Sequence, residues 1–262
     1  MTSTKTLLVK VPAITFIFWI IKVLSTTVGE TLADYLNSTL GLGDNGTIYT
    51  MVGVLAVLMI AQFSLRKYIP AIYWASIVVI STVGTLITDN LHTNFGWENW
   101  RLTVLFGSVL IAVFVIWWFQ ERTLSIKTIN TRKRETFYWI AVLATFAMGT
   151  AAGDIFLDDL GRPLLESTLV FSGVILVIAA LWRIKVIGQV FGFWLIYILT
   201  RPLGASFGDY LSLSKDDAPD ALNLGSQNVT MVFLSLIVIL IVYLSISKVD
   251  VIDLKEAESE GK

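Results

Sequence analysis

Apolar residues fill the chain in eight runs, each near the roughly 20 residues that carry a helix across a bilayer. Polar residues gather in the short intervals between them. The pattern predicts eight membrane spans: Val11–Leu36, Thr47–Leu65, Ala71–Leu91, Thr103–Phe119, Thr136–Leu160, Thr168–Ile184, Val186–Leu211 and Val229–Ile246. The joins at 66–70 and near 185 are tight, so the spans flanking each are expected to fold back as helical hairpins. The first run is long and lacks a small-residue cleavage site, so it reads as a retained span and not as a signal peptide. The interval "QERTLSIKTINTRKRE" divides the chain into two halves of four spans. A short charged tail, 250–262, is expected to stay outside the packed structure.

The polar positions inside the runs form a repeat. The far ends of the odd spans read "VGETLADYL", "VGTLITDNL", "AGDIFLDDL" and "LGASFGDYL". Each fits G-x4-D-x-L: Gly29/Asp34/Leu36, Gly84/Asp89/Leu91, Gly153/Asp158/Leu160 and Gly204/Asp209/Leu211. The fold class expected is therefore an all-α polytopic membrane protein. It is a single transmembrane domain, 1–262, built from four parallel helical-hairpin repeats near 11–65, 71–119, 136–184 and 186–246, pseudo-symmetric about the membrane normal. Each unit holds two spans, so every copy crosses in the same sense, unlike an inverted repeat. The residue after each glycine varies: Glu30, Thr85, Asp154, Ala205. Residues four apart share a helix face, so Glu30 stacks on Asp34 and Asp154 on Asp158. Three positions before the glycines stand Thr26, Ser81, Thr150 and Arg201.

Charge adds orientation. The side holding the termini and the joins after even spans carries Lys5, Lys10, Arg66, Lys67, Arg122, Lys127, Arg132, Lys133, Arg134, Arg183, Lys185, Lys248, Lys255 and Lys262. The other side carries Arg101, Arg162 and Lys215. By the positive-inside rule both termini are expected in the cytoplasm, in a multi-pass protein of the plasma (inner) membrane. Composition closes other classes. Hydrophobic residues make up 55% and charged residues 15%, against about 25% charged in soluble domains. Net charge is −1, so no global field points to nucleic acid. Cysteine is absent and His92 is the single histidine, which removes disulfides and Cys/His zinc sites. His92 itself reads as a solvated loop residue.

The four G-x4-D-x-L copies and the hairpin layout resemble a bacterial family of uncharacterised membrane-anchored proteins defined by a repeat of unknown function. The resemblance covers nearly the whole chain. It implies no activity, so function has to come from the residues.

A carboxylate at the centre of an isolated spanning helix costs about 3 kcal/mol or more. The repeated aspartates fall roughly 18 to 23 residues along their spans, about 27–35 Å of helix, near the outer boundary of the hydrocarbon. Those ends are helix C-termini, where the backbone dipole disfavours a carboxylate. Something positive is therefore expected nearby: Arg201, Lys22 or a bound cation. If the odd spans line a cavity, Glu30, Asp34, Asp89, Asp154, Asp158 and Asp209 converge as a cation or metal site. Thr26, Ser81, Thr85 and Thr150 would support it, with Lys22 and Arg201 as charge partners. These hard oxygen donors suit a divalent cation such as Mn²⁺, Mg²⁺ or Ca²⁺, and no other cofactor is implied. Gly29, Gly84, Gly153 and Gly204 are candidate hinges, where a broken helix would offer carbonyls to an ion.

The function expected is a transporter moving a cation, divalent and outward-directed. A proton-coupled carrier of a small organic substrate, with Trp139 or Trp194 as an aromatic wall, is the alternative, and a non-transporting scaffold the third. No catalytic residue is assigned, because the chain has no paired-histidine motif, no cysteine nucleophile and no nucleophile elbow. Membrane lipid and the small cargo are the expected partners. Homo-oligomerisation stays open.

Overall fold

The structure is a computed structural model and describes residues 9–252. The charges of Lys5, Lys255 and Lys262, and the tail from 253 onward, lie outside the described residues. Eight helices in it are long and apolar enough to cross a membrane. They are α1 (Phe16–Asp34), α2 (Gly43–Ser64), α3 (Pro70–Thr93), α4 (Asn99–Glu121), α5 (Arg132–Asp154), α6 (Leu164–Arg183), α7 (Gln189–Ser212) and α8 (Ser226–Ser247). Local chemistry sets their ends. The Thr15 hydroxyl accepts from the Phe18 amide at 3.2 Å, so α1 starts there and not at Val11. Thr131 caps α5 in the same way through the Arg134 amide. Pro70 opens α3, where its missing N–H costs nothing. Asp44 and Glu166 occupy the first turns of α2 and α6, which the helix dipole favours, so those helices begin before their apolar runs.

The odd helices form the interior and the even helices surround it. Of the most apolar stretch of each odd helix, 56 to 78% is buried, against 11 to 22% for each even one. α1 packs on α3, α3 on α5, α5 on α7, and α7 back on α1. The outer helices follow a shifted rule: α2 lies on α3, α4 on α5, α6 on α7 and α8 on α1. The hairpins expected at the 66–70 and 185 joins therefore form. Within a repeat unit the odd and even helices touch more lightly than neighbouring units do. Each even helix crosses to the odd helix of the next unit, and α8 closes the circle on α1. No unit buries its own apolar face, so the four copies are interdependent.

All four motif glycines lie inside unbroken helix, so the expected hinges are absent. Their role is close approach. A Cβ on Gly29 would stand 2.1 Å from Ser81 Oγ, and one on Gly204 would stand 2.1 Å from Thr26 Oγ1. On Gly84 it would meet Phe146 Cβ at 2.7 Å, and on Gly153 Pro202 Cβ at 3.2 Å. Each glycine thus seats the next inner helix. Gly29→Ala should lower stability by about 1–3 kcal/mol through overpacking, although alanine favours helix by about 1 kcal/mol. Thermal unfolding in detergent tests this. Gly29→Ala with Ser81→Gly should recover most of the loss, and a neutral single variant would disprove the contact.

Candidate functional site

Residues spaced by four along each inner helix face the axis, so each register contributes a layer. Three positions before the glycines, the layer is Thr26, Ser81, Thr150 and Arg201, all buried. Arg201 fills it. Nε donates to Thr150 Oγ1 at 2.9 Å on α5, and Nη1 donates to the Thr26 carbonyl at 3.1 Å on α1. Nη2 donates to Glu30 Oε2 at 2.5 Å on α1 and to the Thr85 hydroxyl on α3. One guanidinium on α7 therefore grips the other three inner helices. Arg201 is 0% exposed and Glu30 14%. Ser81 does not join this network. Its hydroxyl packs under Gly29 and has no hydrogen-bond partner.

Toward the acid end of the axis, Asp34, Asp89, Asp154 and Asp209 are partly buried. All four lie within electrostatic range of both Glu30 and Arg201. Asp158 departs from this arrangement. Asp158, the motif aspartate of the third copy, is exposed and sits beside Asp159 and His92. The reason is a change of helical pitch. After Asp34, α1 widens into a π turn over Tyr35–Thr39, and after Asp154, α5 does the same over Ile155–Asp159. The widening starts four motif positions earlier in α5. Asp154 thus takes the last α-helical position that Asp34 takes in α1, and Asp158 is carried out to solvent. Asp34 also lines a cavity of about 500 Å³ at this end, with Ser38, Thr39, Ser212 and Asp217. His92 is exposed, its Nδ1 2.8 Å from the Trp97 carbonyl. Among the described residues, no three His, Asp or Glu side chains are arranged to hold one metal ion.

Lys22 lies on the other side of Arg201, two turns of α1 below Glu30. It is 0% exposed and its Nζ has no hydrogen-bond acceptor. The ammonium sits 4.0 Å from the centroid of the Phe146 ring and 4.1 Å from that of Tyr197. Lys22, Phe146 and Tyr197 occupy the same register, seven before their glycines. An ion pair between Lys22 and Glu30 was open from sequence. Glu30 is instead held by Arg201, and Lys22 rests on ring faces alone.

The far end of the axis is closed by polar contacts that sequence reasoning missed. Lys10 Nζ lies 2.6 Å from Glu135 Oε2, and Gln62 Nε2 donates to Glu135 Oε1 at 3.1 Å. All three residues are buried, which ties the segment before α1 to α2 and α5. Lys10 was read as one more topology charge. Nothing in its spacing marks a partner so distant along the chain.

Four stretches of the chain, residues 17–68, 72–123, 137–185 and 192–250, match the family described as Repeat of Unknown Function (DUF347). The chain belongs to this family. Each DUF347 copy contributes one axis helix and one peripheral helix, and the axis helix brings its polar face to the shared centre. No curated protein and no solved structure shows significant similarity to the chain.

Proposed function

We propose that this DUF347 protein is a membrane transporter for a small cation whose route follows the axis of the inner ring. The observation that carries the reading is the Arg201 guanidinium of the fourth repeat, a cation already held on the axis by groups from the other three. Around it stand five carboxylates, Glu30, Asp34, Asp89, Asp154 and Asp209, against two axial cations, Arg201 and Lys22. Acids outnumber bases, so an incoming cation lowers the electrostatic cost of the cluster. Ionisable groups held inside a membrane bundle mark ion pathways, and acidic rings select cations. The carboxylates act as an attracting mouth and not as a fixed coordination shell, with Arg201 as a tethered competitor below it. Mn²⁺ and Mg²⁺ remain the divalent candidates, on the chemistry of the oxygen donors.

The test is uptake by liposomes holding the purified chain, with radiolabelled Mn²⁺ and methylammonium as probes. Uptake of at least one should exceed that of protein-free vesicles. It should fall tenfold or more in Asp89→Asn/Asp209→Asn, which preserves shape and removes charge. Equal uptake with and without protein for both probes would leave a scaffold.

The acid end is assigned to the outside and the termini to the cytoplasm, on the bias of the basic residues. The chain has no cysteine, so introduced thiols report cleanly. Asp44→Cys, Glu98→Cys and Asp217→Cys should react with an impermeant maleimide on intact cells, and Thr128→Cys should not. The reverse pattern would invert the topology.

A further inference from the structure

Between Lys22 and the end of the axis that carries the termini lies a row of buried hydroxyls. The Tyr73 and Tyr138 hydroxyls, on α3 and α5, are 2.5 Å apart. The Tyr197 side chain lies beside Tyr138, and its hydroxyl has no regular hydrogen-bond partner. Its ring is one of the two that support Lys22 Nζ. In the other direction, the Tyr68 ring meets Tyr73 edge-on, with centroids 5.6 Å apart. The Tyr68 hydroxyl then donates to Asp250 Oδ2 at 2.6 Å. Tyr68 lies in the join between α2 and α3, and Asp250 follows α8, so this is the end opposite the acid mouth.

A packed apolar core has no structural need for this arrangement. Buried hydroxyls normally find partners, because an unpaired one costs about 1–3 kcal/mol. Here the Tyr197 hydroxyl, the Lys22 ammonium and Asp250 Oδ1 all lack one. They stand at the two ends of the row and at the tyrosine next to Lys22. Phenylalanine would fill the same volume without that cost, and the chain uses it at Phe18, Phe146 and Phe193 in the same core.

We propose that Asp250, Tyr68, Tyr73, Tyr138 and Tyr197 form a proton relay that delivers protons from the terminus-bearing end of the axis to Lys22. The relay rests on the transport reading and couples cation movement to protons. Each step exchanges one O–H for another. Asp250 gives its proton to the Tyr68 oxygen while Tyr68 passes its own hydroxyl proton onward. The same exchange at Tyr73, Tyr138 and Tyr197 ends on the Lys22 amine, after its ammonium has given its proton, by way of water, to the Glu30 carboxylate two turns along α1. One proton crosses and no other bond changes. The steps from Tyr68 to Tyr73 and from Tyr197 to Lys22 join side chains that meet through their rings, so the relay requires a bridging water at each. Burial raises the Asp250 carboxyl above the usual aspartate range, which favours its protonated form.

The test uses the full chain in liposomes that contain a pH-sensitive dye, with a potassium diffusion potential driving protons inward. Tyr73→Phe/Tyr138→Phe removes both members of the short hydrogen bond and leaves no orphan between them, so folding should be unchanged. Proton flux should drop at least tenfold, with the same melting temperature as the wild type. Asp250→Asn, at the edge of the bundle, should give a similar drop and guards against a packing fault in the double variant. Wild-type flux equal to that of protein-free vesicles would overturn the relay, as would an undiminished flux in both variants. Uptake of Mn²⁺ or methylammonium down its own gradient is measured in the same vesicles. Cation uptake without proton flux overturns the relay and leaves the transport reading standing. Proton flux without uptake of either cation supports the relay and overturns that reading.

Discussion

Arg201→Leu should cost the protein about 3–5 kcal/mol of stability, the largest loss expected from any single substitution in it. The guanidinium is fully buried and donates to partners on three other helices. Leucine satisfies none of them. Glu30 would be left partly buried among Asp34, Asp89, Asp154 and Asp209 without the guanidinium that holds it. Breaking one side of a buried pair is worse than removing both, because the survivor is left uncompensated. Arg201→Leu/Glu30→Leu should therefore recover a large part of the loss, and Glu30→Gln alone should cost less than Arg201→Leu. Thermal melts of the three variants in one detergent form the cycle. If the double variant is no more stable than Arg201→Leu, the pair is not the source of the cost, and the axis is held by packing.

The architecture was legible where it rests on periodicity. Eight apolar runs and a motif four times repeated suffice for eight spans and a common axis, because a spanning helix must satisfy its backbone internally. The partner exchange between repeats was not legible. α2 packs on α3, and nothing in its apolar run marks that helix over α1. At the site, Glu30, Asp34, Asp89, Asp154, Asp209 and Arg201 were readable because each occupies a fixed offset from a glycine. Asp158 misled because the offset counts residues, and the π turn after Asp154 changes how many residues make a turn. The glycines misled in another way. A conserved offset does not say whether glycine is used for freedom or for size, and here Ser81, Phe146, Pro202 and Thr26 show that it is size. The tyrosine row escaped because Tyr68, Tyr73 and Tyr138 share no register, and aromatic residues in a membrane chain read first as interfacial belts.

Lys22→Met should act on stability with the opposite sign to Arg201→Leu, although both remove a buried cation from the same axis. The difference lies in the partners. Arg201 has its donors satisfied, while Lys22 Nζ meets only the faces of Phe146 and Tyr197. Two ring faces return about 2 kcal/mol or somewhat more for a desolvated ammonium. Burying an ion costs several kcal/mol even after relaxation, and Arg201 adds repulsion from within the same bundle. Methionine has nearly the same length, is flexible and packs well against aromatic rings. The substitution should raise stability by about 1–4 kcal/mol, the range seen when buried charge gives way to apolar volume. Proton flux should be lost, because no group then receives the proton from Tyr197. A gain in melting temperature together with lost flux identifies a residue kept for function at the expense of stability. A loss of stability of 1 kcal/mol or more would show the reverse. Lys22 would then be a structural cation with stronger partners than two rings, and the coupling role given to it here would fall.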